Sequence, residues 1–473
     1  MYRIEENRNV WPVAPKQVGR RVPIIGDMTR GSVMSPIGRL VETTTPGRHD
    51  VFGIRFFGQN YVFTGEPDLA AEVCDDVLFE KAHAPSLYAL REFIGDGLFS
   101  AYNDESAWTD AHELLAPAFS REAMRAYHDT MCDVADELVV RWRATDSVDV
   151  SHEMTRATFE TIARAGFGRP YNLLVPNDDR SHPLVRASEV LLRTSLVKSA
   201  VHALPAGGLI ELGADRYAAK HRRFAREHLG GIVDEMRRRG PERNGTDRAT
   251  MLELMVHGSE SRPGLDGESA FYQLLTFLIA GHETTSGTMA FALYYLSRDR
   301  ELLEQAKAEA DAAFEATGEG RDLAFEAVPR LRFLRRVVDE SLRMWPTVPG
   351  MARQPKHDHI LGGRYRMRPD NWVVLFFHHL HRHPDVWDRP NAFDPSRFES
   401  AAVRARPAHV YKPFGTGARA CIGRQFAIHE ALVILARLLH EFDIESDPDY
   451  RLRVDERLTL IPKDFRLSLR DRQ

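Results

Sequence analysis

Over residues 122–145, and again over 154–166, apolar and charged residues recur at a helical period, which predicts two amphipathic helices. The longest such pattern covers residues 268–298, roughly 45 Å of helix at about 1.5 Å per residue. It is apolar almost all round, so it belongs inside the protein. A last helix is expected over 422–440. Two stretches break the helical rhythm. Residues 51–57 and 61–64 read as a hairpin joined by Gly58-Gln-Asn60. Residues 362–380, with the run Trp372-Val-Val-Leu-Phe-Phe377, read as a second β region. The expected fold class is mainly α with a smaller β-rich region. The strands are expected within roughly 40–67 and 350–380, and residues 1–473 as a single domain.

Composition narrows the function classes. Of 473 residues, 43% are hydrophobic and 28% charged, as in an ordinary globular protein. Lys plus Arg number 63 and Asp plus Glu 68, a net charge of −5, which lacks the basic footprint of a nucleic-acid protein. The most apolar stretch, residues 271–281, falls short of the 18 or so residues a membrane span needs. Three cysteines, Cys74, Cys132 and Cys421, make neither a disulfide framework nor a zinc-type C-x-x-C pair. With no secretory-type apolar run at the N-terminus, a cytoplasmic protein is expected. The Arg-rich stretch 220–248 reads as a solvated helix face. The cluster His378, His379, His381 and His383 reads as alternating strand positions rather than a metal site.

One segment carries chemistry: Lys412-Pro-Phe-Gly-Thr-Gly-Ala-Arg-Ala-Cys-Ile-Gly423. Gly415 and Gly417 permit a tight loop that can approach a flat ligand closely. Cys421 then falls at the start of a helix, where N–H groups and the dipole favour a thiolate. A lone thiolate cannot build a zinc site, but it can be the single axial ligand of a haem iron. A buried structural cysteine, like Cys74 and Cys132, is the competing reading, and the loop alone does not choose between them.

The segment Phe414-Gly-Thr-Gly-Ala-Arg-Ala-Cys-Ile-Gly423 resembles the haem-binding signature of the cytochrome P-450 family. Three further stretches are similar to family motifs and fall in the family's order. They are Ala280-Gly-His-Glu-Thr-Thr285, Glu340-Ser-Leu-Arg343 and Pro390-Asn-Ala-Phe-Asp-Pro-Ser-Arg-Phe398. Gly95-Asp-Gly-Leu-Phe99, Trp108-Thr-Asp-Ala-His-Glu-Leu-Leu-Ala-Pro-Ala-Phe-Ser120 and Met154-Thr-Arg-Ala-Thr-Phe159 extend the likeness to the haem domain of the bacterial self-sufficient fatty-acid hydroxylases. In those proteins a flavin reductase follows the haem domain. Here the sequence ends at Gln473, which leaves an excised domain or, as the preferred expectation, a stand-alone enzyme that borrows its electrons.

The resemblance implies the cytochrome P-450 fold, haem b as cofactor and Cys421 as its metal ligand. It makes Glu283 and Thr284 the catalytic acid–alcohol pair, with Thr284 bonding dioxygen and relaying protons. A mid-helix threonine bonding back to a carbonyl one turn earlier is the bland alternative. Trp108, His112, Arg353 and Arg419 are expected at the haem propionates, and Phe414 beside the thiolate. Glu340, Arg343 and Arg397 are expected to form a buried, structural ion-pair network. Ile94, Phe99, Ala280, Val348 and Gly350 are expected to line the substrate cavity.

The implied reaction inserts one oxygen atom of O2 into a hydrophobic organic substrate, by hydroxylation or epoxidation. Electrons would come from an external donor, a ferredoxin or a flavodoxin with its reductase; neither nucleic acid nor membrane is an expected partner. The fatty-acid hydroxylases anchor a carboxylate with an Arg and a Tyr at the channel mouth, where this sequence aligns Gln59 and Phe63. That departure makes a neutral secondary metabolite as good a candidate as a fatty acid. Nitrogen transfer, C–C or C–N coupling, a peroxide-driven reaction and a non-catalytic haem-binding module are the alternatives.

Overall fold

The computed structural model describes residues 16–17, 36–48, 51–56, 59–82, 85–178, 180–201, 207–241, 250–316, 323–369, 371–457 and 459–472. The architecture is built around the long apolar helix Gly267–Leu296. Asp266 caps its start by accepting from the amides of Glu268 and Ser269. Nearly every side chain from Ala270 to Leu293 is buried. It packs on helix Val150–Thr161 at one side and on helices Arg332–Met344 and Arg424–Glu441 at another. The helix expected over 122–145 runs from Arg121 to Trp142, capped by Ser120, and packs on Arg424–Glu441. The pattern over 154–166 divides: Val150–Thr161 is α-helical and Ile162–Gly166 forms a π-turn. Helices Pro183–Val201 and Gly207–Arg239 lie against each other over this bundle. The Arg-rich stretch supplies the exposed face of the latter, and residues 242–249 lie outside the described part.

The six-stranded sheet runs in the order Lys16–Gln17, Val51–Phe56, Gln59–Thr64, Val373–Phe376, Gly350–Pro355, Phe79–Lys81. The hairpin pairs Val51 with Thr64 and Phe52 with Phe63. Its connection at residues 57–58 lies outside the described part. Phe63↔Val374 is a parallel pairing, and Val373–Phe376 then pairs antiparallel with Gly350–Pro355. The edge strand Phe79–Lys81 puts Lys81 opposite Arg353. The run at Trp372–Phe377 ends in the short helix Phe377–Leu380. Smaller sheets beyond the two expected regions involve Ser147–Asp149, Phe442–Ser446 and Arg466–Asp471, and Val454–Glu456 with Leu460–Pro462. Strands of three residues give no usable alternation, which is why the sequence did not signal most of these. Among the described residues no helix is long and apolar enough to cross a membrane.

Candidate haem site

The Cys421 loop is fastened at both ends by backbone hydrogen bonds. Gly415 N donates to Lys412 O (3.0 Å) and Cys421 N to Phe414 O (2.8 Å). Between them Gly417 is left-handed, with φ +65°. A Cβ at Gly417 would press on the Asp76 carboxylate, and the left-handed backbone adds strain, so glycine is favoured there. Asp76 Oδ2 also accepts from Ala418 N at 2.8 Å. The following helix begins at Arg424 with Gly423 as its N-cap, two residues later than the sequence suggested. Cys421 therefore precedes the helix. The Gly423 amide and the Arg424 charge favour its thiolate, but desolvation outweighs them and raises the thiol pKa. Without a metal, burial works against the thiolate that the loop's position favours; a metal cation at the sulfur would restore it. The Cys421 residue is accessible yet closely surrounded by protein, so its thiol is both reachable and desolvated, whereas Cys74 and Cys132 are buried, and burial pushes the Cys74 thiol up to about 11.

In the central helix Ala280 stands exposed within an otherwise buried stretch, and Thr284, one turn on, is half-buried. The Thr284 hydroxyl donates to Ala280 O at 2.9 Å, the back-bond considered from the sequence. Glu283 is buried, and desolvation raises its carboxyl to about 7. Thr459 donates to its Oε2 at 3.1 Å, while Oε1 is buried without a partner among the described residues.

A cationic corner forms where helix Ser106–Leu115 meets the cysteine loop. Trp108 and His112 stack with ring centroids 4.7 Å apart, and the Arg419 guanidinium lies 4.3 Å from the Trp108 ring. Burial first, then Arg419, lowers the His112 pKa. Arg419 donates to Tyr102 O at 3.0 Å. Neither Arg419 nor Lys81 has a carboxylate ion-pair partner among the described residues. Lys81 Nζ donates to Phe99 O and lies 5.1 Å from the Phe99 ring. Desolvation, then Arg419 and Arg91, push its pKa down to about 7. Sequence reasoning missed Lys81, since a three-residue edge strand gives no sign that its last side chain meets Arg419.

Arg353 is buried and joins the loop only indirectly. It donates to Asp76 Oδ1 (2.7 Å), Val73 O (3.1 Å) and Phe79 O (2.9 Å), and Asp76 in turn holds the amide of Ala418. Phe414 is half-buried beneath the Arg424 guanidinium, 5.5 Å from its ring. Glu340 and Arg343 are fully buried in a bidentate pair of 2.6 and 2.8 Å, with Arg397 Nε 3.5 Å from Glu340. Arg343 also donates to the carbonyls of His381 and Pro390 (both 2.8 Å) and Ala392 (3.0 Å). His381 Nε2 accepts from Lys412 N at 3.0 Å, so the ion pair reaches the start of the cysteine loop through one residue. The histidine cluster is thus interior framework: His379 bonds Thr44 at 2.6 Å and His383 lies 3.2 Å from Glu66.

Phe99 is 45% exposed, and Val348 and Gly350 are partly exposed. Ile94, expected beside them, is only 2% exposed and packs inside the helical core. The backbone of Gln59 opens its strand. Phe63, aligned to the channel mouth, is a core residue instead: it stacks on Phe52 at 5.4 Å and meets Phe376 edge-on.

The donor set fits a flat, metal-centred dianion. An open thiol, the exposed small residue of a buried helix and two cations without carboxylate partners supply a metal ligand, a flat wall and a place for two carboxylates. The chain belongs to the cytochrome P450 family, whose pattern it matches over residues 18–469; the family binds haem b. It is 36% identical over 436 residues to bifunctional cytochrome P450/NADPH–P450 reductase 2 of Bacillus subtilis. It is 33% identical to the bifunctional cytochrome P450/NADPH–P450 reductase of Bacillus cereus and to a self-sufficient cytochrome P450 monooxygenase of Aspergillus niger. Each match covers 89% of this chain and 38–39% of the relative, so the chain spans well under half the length of these relatives.

Proposed function

We propose that the protein is a haem-thiolate monooxygenase that inserts one oxygen atom of O2 into a hydrophobic organic substrate. The observation that carries this reading is the open Cys421 thiol on a glycine-shaped loop, in a protein whose central helix bears the acid–alcohol pair Glu283–Thr284. When bound, haem supplies the redox-active iron. Cys421 would be the protein's ligand to it. Arg419, Lys81, Trp108 and His112 would hold the propionates, with Arg353 acting through Asp76, and Phe414 would pack beside the thiolate. Glu340, Arg343 and Arg397 fix the loop through His381.

The remaining steps fall to side chains. Apolar packing around the central helix excludes water. Glu283, with a pKa near neutrality, can take up and release a proton at physiological pH. Thr284 is the second member of the relay: its hydroxyl rests on Ala280 O and would turn from it to hand on a proton that reaches its oxygen through water, since adjacent helix residues do not face each other and the Glu283 carboxyl is bonded to Thr459. Phe99, Ala280, Val348 and Gly350 shape the substrate space. The aligned pair Gln59 and Phe63 offers no cation and no phenol to a substrate carboxylate, which supports a neutral hydrophobic substrate, such as a secondary metabolite, alongside fatty-acid-like molecules. Electrons come from a donor outside these 473 residues, consistent with reductases in the names of the bacterial relatives.

Product formation with O2 and an electron donor, compared with peroxide alone, tests the proposal. O2-dependent product is expected. Turnover with peroxide only, or none across a panel of hydrophobic substrates that shift the haem spectrum, would overturn it.

A further inference from the structure

Glu283 is enclosed, so its proton must come from somewhere. A surface cleft of about 250 Å³ is lined by His152, His182, Glu189, Asp455, Arg457 and Ile461 among others. Arg457 is fixed at its wall, donating to Glu189 at 2.8 Å and to Asp455 at 3.1 Å. Arg193 adds a second cation, 3.5 Å from Asp455. Arg457 and Ile461 flank Thr459 in the chain, and Arg457 N donates to Thr459 O at 2.9 Å. Thr459 itself is buried, and its hydroxyl donates to Glu283 Oε2. Thr459 thus lies in the chain between two residues of the cleft wall and touches the buried acid with its hydroxyl.

We propose that this cleft is the proton inlet for Glu283, with the Thr459 hydroxyl as the last relay and Arg457 as a positioning residue that sets the charge Glu283 feels. A proton enters from cleft water onto the Thr459 oxygen while the hydroxyl's own proton passes to the Glu283 carboxylate. The O–H bond of Thr459 breaks as a new one forms on the same oxygen, so the relay is left unchanged. Arg457 carries no proton itself; its fixed charge favours the carboxylate. This inference rests on Glu283 being the proton-handling acid.

The other charges near Glu283 are accounted for. Arg457, Glu189 and Asp455 act on it directly. On helix Val150–Thr161, Glu153 is paired with Arg141 and Arg156, and Glu160 with Arg164. Glu456 holds the amides of Ile37 and Gly38. On helix Arg424–Glu441, burial raises the Glu430 carboxyl well above its ordinary value. On its own helix, His282 is kept neutral by burial, its Nδ1 bound to Leu278 O at 2.6 Å.

Infrared spectroscopy of the resting holoprotein tests this without turnover. The Glu283 carboxyl band is assigned by its loss in Glu283→Gln. After transfer to D2O, Thr459→Val should slow exchange of that carboxyl proton about tenfold or more, while Thr459→Ser keeps it fast. Arg457→Gln should raise the pH midpoint of the band by about one unit or more, and Arg457→Lys should restore it. Unchanged exchange in Thr459→Val would mean that protons enter from the substrate side and would overturn the inlet. An unmoved midpoint in Arg457→Gln would overturn the positioning role. Failure of the proposed acid role reads differently: Glu283→Gln would then keep electron use fully coupled to product.

Discussion

Arg343→Lys probes the framework under the site. The native guanidinium makes five hydrogen bonds to protein oxygens: two to Glu340 and one each to the carbonyls of His381, Pro390 and Ala392. Its side chain and that of Glu340 are wholly inaccessible. A lysine has three donors on one nitrogen and cannot satisfy a planar five-point site. Lysine keeps the charge, so the pair is weakened rather than lost, and its cost stays below that of removing one partner of a buried ion pair, about 3–5 kcal/mol. Each buried carbonyl left unpaired adds about 1–3 kcal/mol. Asp394 N at 2.8 Å and Arg397 at 3.5 Å would still support Glu340, which lowers the pair term further. The total is still several kcal/mol, a large part of the roughly 5–15 kcal/mol that holds a protein folded. The loss is transmitted through His381 to Lys412, so haem retention should fall with stability. The assay is haem content per chain, together with the thermal midpoint. Arg343→Lys is expected to give little holoprotein, with a sharply lowered midpoint. A variant with the parent's midpoint and full haem would refute the claim that this pair supports the loop.

Three other outcomes are expected. Thr284→Ala should keep haem but divert electrons from product to reduced oxygen species, measured as product per electron consumed; coupling equal to the parent would exclude Thr284 from proton relay. Gly417→Ala, which adds left-handed strain and pushes on Asp76, should weaken haem retention in a hemin-transfer assay, and unchanged retention would show the loop is not shaped by that contact. Glu430 is fully buried, and burial raises its carboxyl well above 4.5, so the folded state holds a proton that the unfolded chain releases. Stability from this group is therefore lost as pH rises above about 4.5, by up to about 1.4 kcal/mol per pH unit until the folded pKa is reached. Glu430→Gln should raise the thermal midpoint more at pH 8 than at pH 5, and an equal change at both would show the group is ionised in the fold.

The parts of the fold set by periodicity were readable. The central helix was expected over 268–298 and runs from Gly267 to Leu296, because a continuously apolar helix has only one place to go. The glycine loop was also readable, since left-handed backbone beside Asp76 favours glycine. Charge at Cys421 was not: counting residues cannot weigh desolvation against an amide two residues on. Lys81 and Arg419, or Arg457 and Glu189, lie hundreds of residues apart and meet only through strand pairing and helix packing. Phe63 was given its position by alignment to the fatty-acid hydroxylases, and an alignment does not tell that Phe52 will stack on its ring and bury it.

The central claim is that the Cys421 sulfur is bonded to haem iron. The absorption spectrum of the reduced protein under carbon monoxide, recorded for the parent and for Cys421→Ser, tests it most directly. The parent should show the long-wavelength Soret shift of a thiolate ligand, and the serine variant should lose it. The same spectrum in both, or no haem bound by the parent after hemin is supplied, would contradict the account.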